Sequence, residues 1–322
     1  MTHRPKIELH LHLEGAAPPD LIRAIAAEKG VDLSGLFRAD GGYATGDFTQ
    51  FLRAYERASS VLTTPADHAR LTRAVAEGLA ARGVIYAEVF TAPQIAAAND
   101  VERWRDYVAA VDEAAAAVPG IALRQIATCV RHFGPEAARD AARCAAATAG
   151  TGVTGFGMGG DERMHAPADF AWAFDCAREA GLGLTCHAGE FAGPESVRAA
   201  LDDLRVTRIG HGVRAVEDPA LVWRLAAEGI VLEVCPGSNV ALGLYPNVAA
   251  HPIDTLRRAG VAVTVSTDDP PFFHTDLDAE YATLEAAFGW GEAEFRTANR
   301  TAAEAAFCDD ATRARLLAAV EA

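Results

Sequence analysis

The sequence KIELHLHLEG, residues 6–15, alternates apolar and polar side chains with a period of two residues. That period is typical of a β-strand, because successive side chains of a strand point to opposite faces. One face is entirely aliphatic, and the other carries His10 and His12 between two glutamates. In a barrel strand the outer face packs on helices, so we expect the two imidazoles inside a barrel. Two imidazoles one strand step apart can bind one ion, although His-x-His also occurs on solvated strands.

Seven further segments rich in apolar or β-branched residues follow, separated by alanine-rich stretches with helical periodicity. Prolines stand near the starts of several of these helical stretches and glycines just past their ends. The predicted strands are residues 7–13, 84–91, 121–130, 153–159, 182–187, 206–211, 230–235 and 261–267. Eight alternating β/α units predict an α/β fold, a (β/α)8 TIM-type barrel that forms a single domain over residues 1–322.

The segment of about residues 32–62 is longer than a barrel connection requires, and it predicts a helical insertion after the first strand, over the barrel mouth. Phe48, Phe51, Leu52 and Tyr55 recur there at roughly helical spacing. These side chains are predicted to line a pocket and shield it from water, with ordinary packing as the alternative for each.

Composition and charge exclude several classes of function. The 322 residues include 44 acidic and 29 basic ones, a net charge of −15 that opposes binding to a phosphate backbone, so no nucleic acid partner is expected. Six scattered cysteines without a close pair predict reduced thiols. Neither an export signal nor a long apolar run is present, which predicts a cytoplasmic protein without a membrane partner. Nothing in the sequence indicates a protein partner.

Polar residues also recur at the predicted carboxyl ends of later strands, where barrel enzymes gather their catalytic groups. His187 ends the fifth strand, His211 ends the sixth, and Asp268 follows the eighth. Structural histidines and an Asp that caps a turn are the alternatives for each residue alone. Together with His10 and His12 they match the nitrogen and oxygen ligands of zinc, with room for a water that could ionise near neutral pH. Many related barrel hydrolases bridge two metals with a modified lysine after a middle strand. Because no lysine follows Lys29, that bridge cannot form here, and a mononuclear site is predicted.

Six motifs occur in order along the chain, and as a set they resemble the adenosine deaminase family. They are KIELHLHLEG at 6–15, GDE at 160–162, HAGE at 187–190, GHGV at 210–213, CPGSN at 235–239 and STDDP at 266–270. The resemblance covers residues 6 to about 290. It implies a zinc-dependent barrel enzyme that hydrolytically deaminates a 6-aminopurine and needs no organic cofactor.

The resemblance also implies roles for individual residues. One Zn²⁺ per chain would be bound by His10, His12, His187 and Asp268. The catalytic residues would be Asp268 itself, Glu190, which protonates purine N1, and His211, which orients the attacking water. Purine N7 and N3 would be bound by Asp269 and by the backbone N–H of Gly160. For the residues away from the metal, an ordinary loop, turn or structural role is the alternative.

The identity of the 6-aminopurine substrate depends on positions where the sequence departs from the family pattern. Adenosine deaminases have an aspartate that binds the ribose 5′-hydroxyl, but this chain has Glu14, which is familiar from adenine deaminases. GDE, Gly210 and HAGEFAGPES instead favour a nucleoside. The leading prediction is therefore deamination of adenosine and deoxyadenosine to the inosine product plus ammonia, with Glu14, Phe48, Phe51 and Leu52 at the substrate.

Several alternatives remain open from the sequence. Adenine or another 6-aminopurine nucleoside, such as 6-aminodeoxyfutalosine, could be the substrate. A catalytically silent purine-binding barrel is the alternative from a different class, because a fold does not establish activity. A metal phosphoesterase could use the same His-x-His opening, although the lack of a phosphate-binding lysine counts against it.

Overall fold

A computed structural model describes residues 5–322. Eight parallel strands, β1 to β8, pair in chain order and form a nearly closed barrel. They are Lys6–His12, Val84–Thr91, Ala122–Val130, Val153–Gly159, Gly183–Ala188, Arg208–His211, Val231–Val234 and Ala262–Val265. All eight predicted strands are confirmed, with ends displaced by at most two residues, and the (β/α)8 TIM-type barrel is therefore the fold of this chain. The expectation about an export signal rests partly on residues 1–4, which lie outside the described residues.

Asp268 closes the barrel between the first and last strands. β8 ends at Val265, and the chain then returns to β1 through a single parallel bridge between Leu11 and Asp268. The backbone N–H of His12 donates to the Asp268 carbonyl at 3.0 Å, and the Asp268 N–H donates to the His10 carbonyl at 3.1 Å. Asp268, which the sequence predicts as a metal ligand at the barrel rim, is thus itself part of the barrel wall.

Helices surround the strands. The α-helices, α1 to α15, are Pro19–Lys29, Phe48–Ser59, Pro65–Ala81, Pro93–Ala97, Val101–Ala116, Gly134–Ala147, Ala171–Glu179, Pro194–Ala199, Pro219–Glu228, Pro236–Ala241, Ile253–Arg258, Pro270–Phe273, Leu277–Phe288, Glu292–Ala305 and Asp310–Glu321. Short 3-10 turns cover Arg131–Phe133, Pro167–Phe170, Val213–Glu217 and Val248–Ala250, and a π-turn covers Ala200–Leu204. Pro219 at the start of α9 and Gly229 at its end, with φ of 66°, show the predicted punctuation.

The core lies mainly between the strands and the surrounding helices. Leu9 and Leu11 on the aliphatic face of β1 are fully buried, and Leu11 packs with residues of α1, α2 and α3. His10, on the opposite face, is equally buried but contacts polar groups inside the barrel. The alternation in residues 6–15 therefore separates the hydrophobic core from the interior polar site. None of the helices formed by residues 5–322 has the length and apolarity required to cross a bilayer.

The helical insertion after β1 contains α2, which begins after Asp47, whose side chain accepts the Gln50 N–H. A small antiparallel bridge between Phe37 and Tyr43 precedes it. Phe51 of α2 packs against Phe273, with ring centroids 4.9 Å apart, so the helix is anchored to the turn after β8. This contact places α2 against the carboxyl ends of the strands.

Candidate active site

A cavity of about 410 Å³ opens at the carboxyl ends of the strands. Every residue predicted for the site lines it except His10, which lies directly behind. The lining includes His12, Glu14, Phe48, Phe51, Leu52, Gly160, His187, Glu190, His211, Asp268 and Asp269. The insertion helix α2 therefore forms one wall of the cavity, and the strand ends form its floor.

Four potential metal ligands meet at this floor. One ligand atom from each of His10, His12, His187 and Asp268 lies within 4.8 Å of the others. The Nε2 atoms of His12 and His187 are 3.2 Å apart, and Asp268 Oδ1 lies 3.4 Å from His10 Nε2 and 3.2 Å from His12 Nε2. Among residues 5–322, the buried His10 Nε2 atom has no hydrogen-bond partner. A cation among these atoms would satisfy all of them, so the residues present fit a metal ion.

Hydrogen bonds outside this group fix how the two innermost imidazoles are oriented. His10 Nδ1 lies 2.8 Å from Glu233 Oε2, and His187 Nδ1 lies 2.9 Å from the Met158 carbonyl oxygen. Each Nδ1 faces an oxygen and therefore carries the proton, which leaves the Nε2 lone pair directed at the shared centre. The neutral form suits His187, since burial and the neighbouring histidines hold its pKa well below the ordinary value.

The carboxylate ligand candidate is oriented in the same way. The Ser238 hydroxyl donates to Asp268 Oδ2 at 2.6 Å, which leaves Oδ1 for the imidazole nitrogens. A second group, His211, Cys235 and Asp268, is also close enough to share an ion. This group has one histidine where the first has three, so it offers zinc fewer nitrogen ligands and is the poorer metal site.

Below the four ligand candidates lies a buried ion-pair layer. Glu233, the partner of His10, also binds Arg208 Nε at 2.6 Å, and Arg208 Nη2 lies 2.6 Å from Glu88 Oε2. Burial alone would raise the pKa of Glu233, but Arg208 and His10 outweigh it and hold this pKa below its ordinary value. Glu233 is therefore a carboxylate, which can accept a hydrogen bond from His10 Nδ1–H and so fix the orientation of the His10 ring.

Glu190 reaches the cavity from the turn after β5 and is only 6% exposed. Burial, followed by the charges of Asp268 and Glu162, raises its pKa well above the ordinary value, which favours the protonated form of the carboxyl group. Its turn is fixed by the Glu162 carboxylate, which accepts the backbone N–H groups of Gly189, Glu190, Phe191 and Ala192. A buried carboxylic acid on a rigid turn can donate a proton to a bound ligand.

His211 lies beside Glu190, with its Nε2 3.7 Å from Glu190 Oε2. Burial lowers its pKa to about 3, so the imidazole is neutral and has one donor and one acceptor nitrogen. Its backbone φ of 60° is in the left-handed region, which turns the chain sharply at the end of β6.

The two residues predicted to bind the purine edge are both at the cavity. Gly160 has φ of 99°, and a Cβ there would lie 2.8 Å from His132 Nδ1, so only glycine fits. Asp269 is buried, and its Oδ1 has no hydrogen-bond partner within the described residues. Burial and the adjacent Asp268 raise its pKa well above the ordinary value. An unpartnered group of this kind is available to a ligand.

Glu14 is held by two residues that the sequence did not single out as its partners. Its Oε1 lies 3.3 Å from His68 Nε2, and the Tyr55 hydroxyl donates to its Oε2 at 3.3 Å. Glu14 is 2% exposed, and both of its oxygens are engaged within the protein. Tyr55 comes from α2 of the insertion and His68 from the following helix α3, so two helices together hold Glu14 at this end of the cavity.

Sequence reasoning missed the residues that orient the site. Glu233 had a readable signal, because it is the charged residue of the apolar strand β7. Glu162 and Ser238 lie within the motifs GDE and CPGSN, but the motifs do not say which groups they contact. Asn239, next to Ser238, donates to Glu190 Oε1 at 3.3 Å.

A parallel β/α barrel with three imidazoles and a carboxylate gathered at the strand ends, next to a buried carboxylic acid, is typical of the metal-dependent hydrolases. The family model described as adenosine deaminase matches residues 5–322. The chain therefore belongs to the adenosine deaminase family, a metal-dependent family, and is a hydrolytic deaminase that acts on C–N bonds.

Relatives within this family match this chain over nearly its full length. The chain is 52% identical over 315 residues to the adenine deaminase of Chelativorans sp. strain BNC1, and the match covers 97% of each protein. The crystal structure of adenine deaminase from Arthrobacter aurescens superposes with a TM-score of 0.88 at 32% identity, covering 99% of this chain and 98% of that one. An amidohydrolase from Burkholderia ambifaria with bound zinc also gives 0.88, at 29% identity, covering 99% of this chain and 90% of that one.

Proposed function

We propose that the protein is a zinc-dependent adenine deaminase that converts adenine and water to hypoxanthine and ammonia. The observation that carries this proposal is the arrangement of Glu14, Tyr55 and His68. The adenine deaminases similar to this chain support it as well. They favour adenine as the substrate. The motifs GDE and HAGEFAGPES predict adenosine instead, so the relatives support the alternative substrate over the leading prediction from the sequence.

Glu14 occupies the position where the family resemblance implies a carboxylate for the ribose 5′-hydroxyl. It is one methylene longer than aspartate, and Tyr55 and His68 already engage both of its oxygens. A ribose hydroxyl would compete with Tyr55 and His68 for these buried oxygens, and the loss of either contact would leave a polar group unpaired at a cost of about 1–3 kcal/mol. A free base makes no such demand, so the arrangement favours the smaller substrate.

Zinc is the ion we propose for the site, because nitrogen ligands from three histidines with one carboxylate oxygen suit it. His10, His12, His187 and Asp268 would hold one ion per chain. When bound, zinc would supply Lewis acidity and ease the ionisation of water near neutral pH. The Burkholderia ambifaria structure with zinc supports this choice.

The other site residues would act directly on the purine. The protonated Glu190 would donate its proton to N1, which makes C6 more electrophilic. His211 would orient the attacking water from beside Glu190. Asp269 and the backbone of Gly160 would hold the N7 and N3 edge, and Phe48, Phe51 and Leu52 of α2 would cover the ring and exclude bulk water.

Side-by-side kinetics test this proposal. Ammonia release by zinc-loaded protein is followed with adenine, adenosine, deoxyadenosine and 6-aminodeoxyfutalosine at matched concentrations. We expect kcat/KM for adenine to exceed the others by about tenfold or more, equivalent to one lost buried hydrogen bond. A preference of that size for a nucleoside would overturn the choice of adenine. Protein that binds zinc but releases no ammonia from any of the four would support the silent purine-binding barrel instead.

A further inference from the structure

A chain of buried hydrogen bonds leads away from the active site to His251, which precedes α11. Asn239 Nδ2 lies 3.3 Å from Glu190 Oε1 and 3.3 Å from His211 Nδ1. Asn239 Oδ1 lies 3.1 Å from His251 Nε2, and the backbone N–H of Ile253 donates to His251 Nδ1 at 3.2 Å. Asn239 is fully buried and His251 is 2% exposed, so water does not compete for these contacts.

The direction of every bond in this chain follows from its outer end. A backbone N–H can only donate, so His251 Nδ1 must be the acceptor and carries no proton. Burial lowers the pKa of His251 to about 3, and the neutral ring therefore has its proton on Nε2. That Nε2–H can only meet an acceptor, which must be Asn239 Oδ1.

The same reasoning continues to the catalytic groups. With its oxygen facing His251, Asn239 presents its two N–H groups to Glu190 and His211. His211 Nδ1 is then an acceptor, and the proton of this neutral ring lies on Nε2, the nitrogen 3.7 Å from Glu190 Oε2. The reversed amide would set two donors against each other at His251, so the buried chain permits one arrangement.

We infer that His251 is a positioning residue that acts through Asn239, fixing the Nε2-protonated tautomer of His211 and the orientation of Glu190. The inference rests on the proposed function only in that it names those two residues as the groups acting on substrate. The consequence is that His251 sets the efficiency of the chemical step without touching substrate or metal ligands.

Nitrogen-15 NMR of histidine-labelled protein tests the tautomers without any substrate. The chain has ten histidines, and the His211 and His251 signals can be assigned from their absence in His211→Asn and His251→Phe. We expect both rings in the wild type to be protonated on Nε2, in metal-free and in zinc-loaded protein. A His211 ring protonated on Nδ1 would overturn the inference, whichever purine proves to be the substrate.

Kinetics of three variants separate positioning from packing. His251→Phe removes the donor to Asn239, and we expect kcat for adenine to fall about tenfold or more while KM changes by less than about threefold and zinc content is unchanged. His251→Gln retains an N–H near the Nε2 position and should restore most of kcat. Tyr245 packs on the His251 ring with centroids 4.9 Å apart, so Tyr245→Leu disturbs the packing but retains the donor and should keep kcat.

Two outcomes would count against His251. Equal kcat in His251→Phe and the wild type would remove its role, and equal losses in Tyr245→Leu and His251→Phe would assign the effect to packing. Should His251→Phe fail to fold, the tautomers of the wild-type protein and the kcat of His251→Gln still test whether His251 positions His211 and Glu190. If wild type lacks adenine deaminase activity while His211 is protonated on Nε2, the proposed substrate fails and the tautomer inference stands.

Discussion

At the scale of single residues, the two histidines of β1 could be predicted because strand alternation places them on one face. Their partners could be predicted as strand-end residues, although Asp268 lies beyond the end of β8 rather than directly after it. The contacts of Glu14 could not be predicted, because Tyr55 and His68 come from two helices whose packing no local pattern encodes. The same limit hid Asn239 and its hydrogen bond to Glu190.

Glu190→Gln should nearly abolish turnover. Gln keeps the size of the side chain but cannot donate the carboxyl proton, which the raised pKa of Glu190 favours. A positioned acid contributes about 10²–10⁴-fold, so we expect kcat for adenine to fall by that factor with one zinc still bound, measured by ammonia release and metal analysis. Glu195→Gln, an exposed change in the first turn of α8, is the matched control and should retain activity. Wild-type rates in Glu190→Gln would reject its role as acid.

Glu14→Asp should shift substrate preference toward nucleosides. Shortening the side chain breaks at least one of its contacts with Tyr55 and His68 and frees space at that end of the cavity. We expect the ratio of kcat/KM for adenine over adenosine to fall by about tenfold, equivalent to one buried hydrogen bond. Tyr55→Phe, which removes one contact but keeps Glu14, serves as a comparison. An unchanged ratio in Glu14→Asp would mean that Glu14 does not set the preference.

At the scale of elements, the strands and the presence of a helical insertion could be predicted, since both depend on local periodicity. The position of α2 could not, because it is fixed by ring contacts between segments far apart in the sequence. Phe51 packs on Phe273, and Phe48 packs on Phe191 with centroids 4.4 Å apart. Through Phe191 the insertion contacts the turn that carries Glu190.

Phe48→Ala should weaken substrate binding more than stability. The half-buried ring joins α2 to the turn after β5 across the cavity mouth, so its loss would loosen the cover over the substrate. We expect KM for adenine to rise about threefold or more while Tm changes by less than about 3 °C, measured by steady-state kinetics and thermal unfolding. Phe48→Leu keeps apolar bulk and should behave nearly as wild type. A large loss of Tm with unchanged KM would make Phe48 a purely structural residue.

At the scale of the whole molecule, stability should depend on the protonation of buried Glu280. Its carboxylate oxygens accept the Gly237 N–H at 3.0 Å and the Thr275 hydroxyl at 2.7 Å. Burial, together with nearby Glu8 and Asp276, raises its pKa from 4.5 to about 7. The folded state therefore holds this proton more tightly than the unfolded state does. The stabilisation is complete below about pH 4.5 and is lost as pH rises through about 7.

Glu280→Gln should remove this dependence. Wild type should lose up to about 1.4 kcal/mol of unfolding free energy per pH unit between pH 4.5 and 7 relative to the variant. Urea unfolding of both proteins at several pH values measures the difference, in which shared titrations cancel. A constant difference across that range, or one that grows in the opposite direction, would contradict the raised pKa.

The backbone bridge at Asp268 joins the earliest and latest parts of the barrel. Nearby, the His10 N–H donates to Ser266 Oγ across a sequence separation of 256 residues. A ribosome must therefore release almost the whole polypeptide before the first two imidazoles can meet their carboxylate. Chains that end before residue 268 would lack the carboxylate ligand. Only chains translated past this residue could therefore bind the ion with all four groups. The ion would then crosslink distant segments of the chain, and a crosslink that closes a long loop removes more chain entropy than one that closes a short loop.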